Sequence, residues 1–282
     1  MRLKRFDRGS DFYERAKPFL LKREAEHNLI LGIAAGIASG AEWVHPPPYL
    51  ALVEEEDEPV AAAVMTPPHN LILSDTDYQE ALTLFASDLL AGGWEPPGVT
   101  GPVELARAFA DIWRERTGRS YNVRMAQRIF KLERVRPPEG VPGQLRRATE
   151  SDRPLLRRWF YGFDREAAGG VGDPDRSLDR FLTSGSRGLY LWEDGEPVSM
   201  AGCTGPTPHG MRIGAVYTPP EKRRRGYASA CVAAVSQLVL DSGRQFCFLY
   251  TDLANPTSNH IYREIGYEPV ADSVELRFEA GS

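Results

Sequence analysis

Apolar and polar positions in the second half of the chain follow two rhythms. Leu155, Leu156, Trp159 and Phe160 recur at the spacing of one helical face, with Thr149 or Ser151 where a helix cap belongs. A first strand is expected over 144–148 and a second short helix near 177–182. Residues 189–192, 197–203 and 211–218 then read as an antiparallel meander, with Asp194-Gly195 supplying the chemistry of a tight hairpin turn. Helical spacing returns over 227–242. There Val232, Val235, Leu238 and Val239 form an apolar stripe, Ala228, Ala230, Ala233 and Ala234 permit close packing, and Gly243 is placed to end the helix. Residues 246–250 are apolar without alternation, the pattern of a strand covered on both faces. Strand, helix and strand in this order form a crossover that joins parallel strands in a right-handed sense. Asn255 as cap and Pro256 at the first helical position open a further helix. On it Ser258, Asn259 and Tyr262 share a polar face while Ile261 and Ile265 turn to the core.

The first half repeats parts of this pattern. Leu50-Ala51-Leu52-Val53, an acidic turn and Glu58-Pro59-Val60 are echoed by Leu189-Tyr190-Leu191-Trp192, an acidic turn and Glu196-Pro197-Val198, and Thr66-Pro67-Pro68-His69 by Thr207-Pro208-His209. Proline and glycine crowd the stretch from Val135 to Gly143, which reads as a linker. Two copies of one architecture are therefore expected, residues 1–135 and 144–282, joined by 136–143. The acidic string Glu54-Glu55-Glu56-Asp57-Glu58 reads as a solvated hairpin tip, and Trp43, Trp94 and Trp113 as core.

Composition narrows the class. With 34 Lys plus Arg against 39 Asp plus Glu, the net charge of -5 argues against duplex nucleic acid as a partner, because phosphate neutralisation dominates that affinity. An amine substrate is compatible with it. Cys203, Cys231 and Cys247 lie in apolar segments without C-x-x-C spacing, so free thiols in a reducing cytoplasm are expected, with neither a disulfide framework nor a metal site. The N-terminus lacks the apolar run of a signal peptide, and the longest near-apolar run, 29–41, is shorter than the ~20 residues of a membrane span.

One stretch carries recognisable chemistry. Val216-Tyr217-Thr218-Pro219-Pro220-Glu221-Lys222-Arg223-Arg224-Arg225-Gly226-Tyr227-Ala228-Ser229 is a strand end, a basic loop and the first turn of a helix. A helix start leaves about four N–H groups without partners and carries roughly half a positive charge, so an anion there is stabilised twice. Gly226 and Ala228 let backbone approach a diphosphate closely, and Arg223, Arg224 and Arg225 add charge. By itself, a run of three arginines is more often a solvated face. Neither G-x-x-x-x-G-K-[ST] nor G-x-G-x-x-G follows any predicted strand.

The segment from Ile213 to Val270 resembles the acetyl-coenzyme A binding part of the GCN5-related N-acetyltransferases (GNATs). Arg223-Arg224-Arg225-Gly226-Tyr227-Ala228 fits the family's pattern of Gln or Arg, x, x, Gly, x, Gly or Ala. Asn255, Tyr262, Gly266 and Tyr267 match its later motif. The resemblance implies an α/β fold with a mixed sheet, two such domains in tandem, each a twisted, mostly antiparallel sheet with a central parallel pair flanked by helices. It implies acetyl-coenzyme A as acyl donor, held by Val216, Tyr217, Thr218, Arg223, Arg224, Arg225, Gly226, Tyr227, Ala228, Ser229, Asn255, Ser258, Asn259 and Tyr262, with the pantetheine arm on backbone groups of Val216 and Thr218. Tyr262 would act as general acid toward the departing thiolate. The acceptor would be a primary amine of a small molecule or peptide, attacking directly, and the protein a monomer or homodimer. The general base stays open among Asp252, His209, Glu166 and a water chain. An acyl-coenzyme A sensor without turnover, or a tandem transferase with another acyl donor, are the alternative readings. In the first half, Leu71-Ile72-Leu73-Ser74-Asp75-Thr76-Asp77-Tyr78 puts acids where phosphate would sit. Asp75 and Asp77 are expected to cap the next helix there, and that half to have lost the cofactor.

Overall fold

The computed structural model describes residues 1–40, 46–166, 173–183, 185 and 187–279. Trp43 lies outside them. The chain forms two compact units, one of Met1–Gln127 with Ala271–Ser282 and one of Arg128–Val270.

In the first unit the strands are β1 (Arg2–Arg5), β2 (Tyr49–Glu55), β3 (Glu58–Met65), β4 (Leu71–Leu73) and β5 (Gly98–Pro102). Helices α1 (Gly9–Leu20) and α2 (Asn28–Ala38) precede β2, α3 (Glu80–Ala91) joins β4 to β5, and α4 (Val103–Thr117) follows. Strands β1 to β4 pair antiparallel in turn, and β4 pairs parallel with β5 through the α3 crossover. Two apolar layers sandwich this sheet because successive side chains alternate faces. Leu50, Leu52, Ala62 and Val64 turn to Phe12, Leu20, Ile30 and Leu31, whereas Ala51, Val53, Ala61 and Ala63 join the core of Phe85, Phe109 and Trp113. Trp113 is fully buried, stacked on Phe109, and Trp94 sits edge-on to Tyr49, so both are core as expected.

The acidic turn is less solvated than its composition implied. Glu54 is buried, held by Arg15 at 2.8 Å and Arg2 at 3.2 Å, and these partners keep its carboxyl below the usual range despite burial. The expected capping by Asp75 and Asp77 is a correction. Helix α3 starts only at Glu80, after Gln79, without a side-chain cap. Asp75 is drawn away instead, its carboxylate pairing with Arg23 and its N–H donating to His27 Nε2 at 3.1 Å.

Strand β6 (Tyr121–Leu132) runs from the first unit into the second. There follow β7 (Gln144–Arg147), α5 (Arg153–Glu166), α6 (Pro174–Thr183), β8 (Gly188–Asp194), β9 (Glu196–Thr204), β10 (Gly210–Tyr217), α7 (Tyr227–Asp241), β11 (Phe246–Asp252), α8 (Pro256–Ile265) and β12 (Glu268–Phe278). Thr149 and Asp152 form a reciprocal capping box ahead of α5, as the sequence predicted for Thr149. Strands β7 to β10 pair antiparallel, and β10 pairs parallel with β11. Helix α7 buries Cys231, Val232, Val235 and Val239 against one face, where Ala201, Ile213 and Leu249 await them, while Phe160, Phe181 and Leu178 of α5 and α6 cover Leu189, Leu191 and Met200 on the other.

Two segments lie outside the domain boundaries expected from sequence. The end of β6 contributes Phe130 and Leu132 to the second unit's core, and the end of β12 pairs antiparallel with β5, Ser273↔Pro102 through Arg277↔Gly98, placing Val274, Leu276 and Phe278 in the first unit's core. Hydrophobic pattern marks a strand but not its partner, so such membership is decided by tertiary pairing.

Candidate active site

The parallel pair at the centre of the second unit is joined over a short length. Its register runs Gly210↔Phe246, Met211↔Cys247 and Arg212↔Phe248, and beyond this β10 continues to Tyr217 and β11 to Asp252. On the other side of β10 the register with β9 shifts between Gly214 and Tyr217, and Ala215 takes φ 49°. A bulge with a left-handed residue re-aims the strand and withdraws backbone groups from the ladder. Val216 lies in this bulge.

After β10, a single 3-10 turn leads to the basic loop, in which Arg224 and Gly226 both have positive φ, 63° and 77°. Gly226 caps α7 with no side-chain hydrogen bond, so the first N–H groups of Tyr227, Ala228 and Ser229 are left for another acceptor. A Cβ at 226 would stand 2.8 Å from Val141 Cγ2, so glycine is required by space as well as by φ. Arg224 and Arg225 are exposed around this helix start.

Arg223 behaves differently from its two neighbours. Its Nε donates to the Thr218 carbonyl at 2.8 Å, its Nη2 to Glu166 at 2.5 Å, and its guanidinium lies 5.7 Å from the Tyr217 ring centroid. It braces the loop. Tyr227 buries its ring and donates its hydroxyl to Asp194 at 2.6 Å, leaving only its main chain at the helix start. The Thr218 hydroxyl is 2.8 Å from Ser199 Oγ, and Tyr217 OH is 3.4 Å from Glu166 Oε1, with Gly162 leaving the room for it. Burial, and then the Glu166 charge, push the Tyr217 phenol up.

On α8 the polar face divides. Asn259 accepts from Thr251 Oγ1 at 2.6 Å and donates to the carbonyls of Asp252 at 3.3 Å and Asn255 at 2.9 Å, so its amide ties the end of β11 to the helix start. Asn255 stands exposed before α8, and the side chain of Ser258 lies outside the described residues. Tyr262 is half-buried between Phe130, 6.5 Å away, and Tyr267, edge-on at 5.8 Å. Its hydroxyl has no hydrogen-bond partner among the described residues, and burial pushes the phenol up to about 12. Of the candidate bases, Asp252 accepts the Ala254 N–H at 2.8 Å, Glu166 is shared by Arg223 and Tyr217, and His209 precedes β10 at the end away from the basic loop. The bulge at Ala215 and the bracing roles of Arg223 and Glu166 escaped sequence reading. Ala215 is an ordinary strand residue by type, and charge alone does not say which arginine finds a partner.

A short parallel ladder that parts beyond Arg212, a bulge beside the gap and an uncapped helix start behind a basic glycine loop define the class of fold. Residues 188–276 match the family model described as FR47-like protein. A GCN5-related N-acetyltransferase from Kribbella flavida is similar over 78% of this chain and 87% of its own, at 18% identity and TM-score 0.54. An acetyltransferase of the GNAT family from Colwellia psychrerythraea and a tandem GNAT protein from the clavulanic acid biosynthesis pathway are each similar over 100% of both chains, at 10% and 13% identity and TM-scores of 0.61 and 0.58. A comparison with curated protein sequences returned no match. The family match covers the later part of the second unit, and the whole-chain neighbours give the chain the mixed α/β fold of two GNAT-like domains in tandem. Among the described residues no helix is long and apolar enough to cross a membrane.

Proposed function

We propose that the second unit is an N-acetyltransferase that moves acetyl from acetyl-coenzyme A to a primary amine. The observation that carries this reading is the gap beyond Arg212↔Phe248, opening beside the bulge at Ala215 and leading toward the uncapped start of α7. The residues present fit such a donor. The free N–H groups of Tyr227, Ala228 and Ser229 would hold a diphosphate, with Arg224 and Arg225 adding charge, and Val216 would offer its main chain to an extended amide arm. When bound, acetyl-coenzyme A would supply an acyl thioester.

The chain's own groups then have distinct tasks. Attack by a neutral amine forms the C–N bond and breaks C–S, so the sulfur leaves needing a proton and the nitrogen must lose one. Tyr262, protonated throughout the neutral range and without a hydrogen-bond partner among the described residues, would give its proton to the sulfur. Asp252 and Glu166 are already engaged, so the nitrogen's proton would pass to water.

The first unit would take no coenzyme. Its β3–β4 register carries no shift, a Cβ at Gly101 would stand 3.2 Å from Leu73, so β4 and β5 stay together, and Asp75 occupies Arg23 where a phosphate would compete. Calorimetry with acetyl-coenzyme A, followed by thiol release on adding primary amines, tests the proposal. Binding at one site per chain with amine-dependent release is expected, and the absence of heat sinks it.

A further inference from the structure

Two half-buried arginines of the second unit lack a counter-charge among the described residues. Arg212 and Arg187 have neither an ion pair nor a hydrogen-bond acceptor among the described residues. Burial lowers both pKa values, opposed at Arg212 by the nearby Tyr250 phenol, and for Arg187 the neighbouring charges of Arg180 and Arg212 lower it further, so both guanidinium groups lie near Arg187. Arg180 is exposed, but the two half-buried cations repel with no acid between them among the described residues, so the fold alone gives no reason for their approach.

A second, independent feature lies at the same spot. Arg212 is directly opposite Thr204 in the β9–β10 ladder, so the two side chains stand on one face of the sheet. Thr204 is 6% exposed, and its hydroxyl is buried with no hydrogen-bond partner among the described residues, an arrangement that costs about as much as a lost hydrogen bond unless something else fills it. The Arg212 guanidinium lies alongside Gly205, its Nη2 only 3.6 Å from where a Cβ would be, so the absence of a side chain there leaves its flank clear. This is the face covered by α6, because the Phe181 ring fills the place of a Cβ at Gly202, two residues before Thr204. Arg212 is also the last residue of β10 paired with β11, at the point where the two strands part.

We infer that Arg212, Thr204 and Arg187 form a seat for a carboxylate, and hence that the acceptor is an amine that also carries a carboxylate group. A carboxylate matches the forked donors of a guanidinium, takes a third hydrogen bond from the Thr204 hydroxyl and neutralises the cluster. The seat's position at the apex of the gap puts such a ligand beside the acyl group. This assignment of substrate class rests on the transferase reading, but the seat itself does not.

The test is equilibrium binding in the absence of acetyl-coenzyme A. Amino acids, ω-amino carboxylates and dipeptides are titrated by calorimetry, each beside its carboxamide. At least one carboxylate is expected to bind, its amide to bind at least roughly tenfold more weakly, and Arg212→Gln to lose roughly 10- to 100-fold in affinity for it, as for a charge-assisted hydrogen bond. Thr204→Val, nearly isosteric, is expected to raise the melting temperature of the free protein while weakening that same carboxylate, a pairing that a merely structural threonine does not produce. The seat is refuted if no carboxylate binds more tightly than about 10 mM, if the amides bind equally well, or if Arg212→Gln and Thr204→Val, both folded, leave binding unchanged. Carboxylate binding without thiol release from acetyl-coenzyme A would keep the seat and remove the transferase reading.

Discussion

Tyr262→Phe tests the proposed general acid apart from the packing ring, because ring and hydroxyl meet different surroundings. The ring is wedged between Phe130 and Tyr267, and phenylalanine keeps those contacts. The hydroxyl has no partner among the described residues, so its removal forfeits no internal hydrogen bond. Stability in urea should therefore change by no more than about 0.5 kcal/mol, or rise by up to about 1 kcal/mol as a buried polar atom disappears. Turnover should fall by roughly 10²- to 10⁴-fold, about 2.7 to 5.5 kcal/mol of barrier, with the KM for acetyl-coenzyme A little altered. The assay is continuous thiol release at saturating donor and amine. The titration gives a further sign. Burial raises the folded pKa to about 12, above the ordinary value of about 10 in the unfolded chain, so the stability held by the neutral phenol is complete below about pH 10 and is lost as pH rises toward 12. The phenylalanine variant should lack that alkaline loss. Turnover within fivefold of wild type, or destabilisation beyond about 2 kcal/mol, would refute the division of roles.

Further expectations concern the proposed anion seat, the cap of α5 and the first unit. Gly226→Ala meets both a φ of 77° and Val141 at 2.8 Å, so it should cost about 1 to 2 kcal/mol in thermal unfolding and weaken acetyl-coenzyme A at least roughly tenfold by calorimetry. Arg224→Ala with Arg225→Ala should raise the KM for acetyl-coenzyme A and flatten its salt dependence, whereas Arg223→Ala, losing Thr218 and Glu166, should also lower the melting temperature. Asp152, forked onto Arg146 with two bonds of 2.7 Å, has its pKa held down to about 2, so its contribution is present above about pH 4 and lost as pH falls toward 2. Asp152→Asn should cost about 1 to 3 kcal/mol in urea at pH 7 and flatten that acid limb. Titration should find one acetyl-coenzyme A per chain, and two would show that the first unit also binds it.

What was legible at the site follows from how local each feature is. The glycine loop, the strand before it and the helix after it lie within fourteen consecutive residues, and spacing alone located them. The division of labour among the three arginines was not legible. Arg223 finds Glu166 some fifty-seven positions away, a partner that exists only once α5 has packed against β10. Asn259 likewise shares a helical face with Tyr262, yet its amide is consumed by Thr251, Asp252 and Asn255, because the chain turns sharply between β11 and α8.

The same distinction runs through the whole molecule. Periodicity determined the helices, the meander and the parallel crossover of the second half, since hydrophobic spacing, caps and turn residues act over a few positions and survive in any packing. Tertiary structure decided where β6 and β12 end, and with them the limits of the two units, because a strand's edges pair with whatever backbone is brought alongside. It decided, too, the bulge at Ala215, the bracing of Arg223 and the meeting of Arg212 with Thr204. Each of these depends on register between strands, which sequence spacing does not encode and close packing enforces.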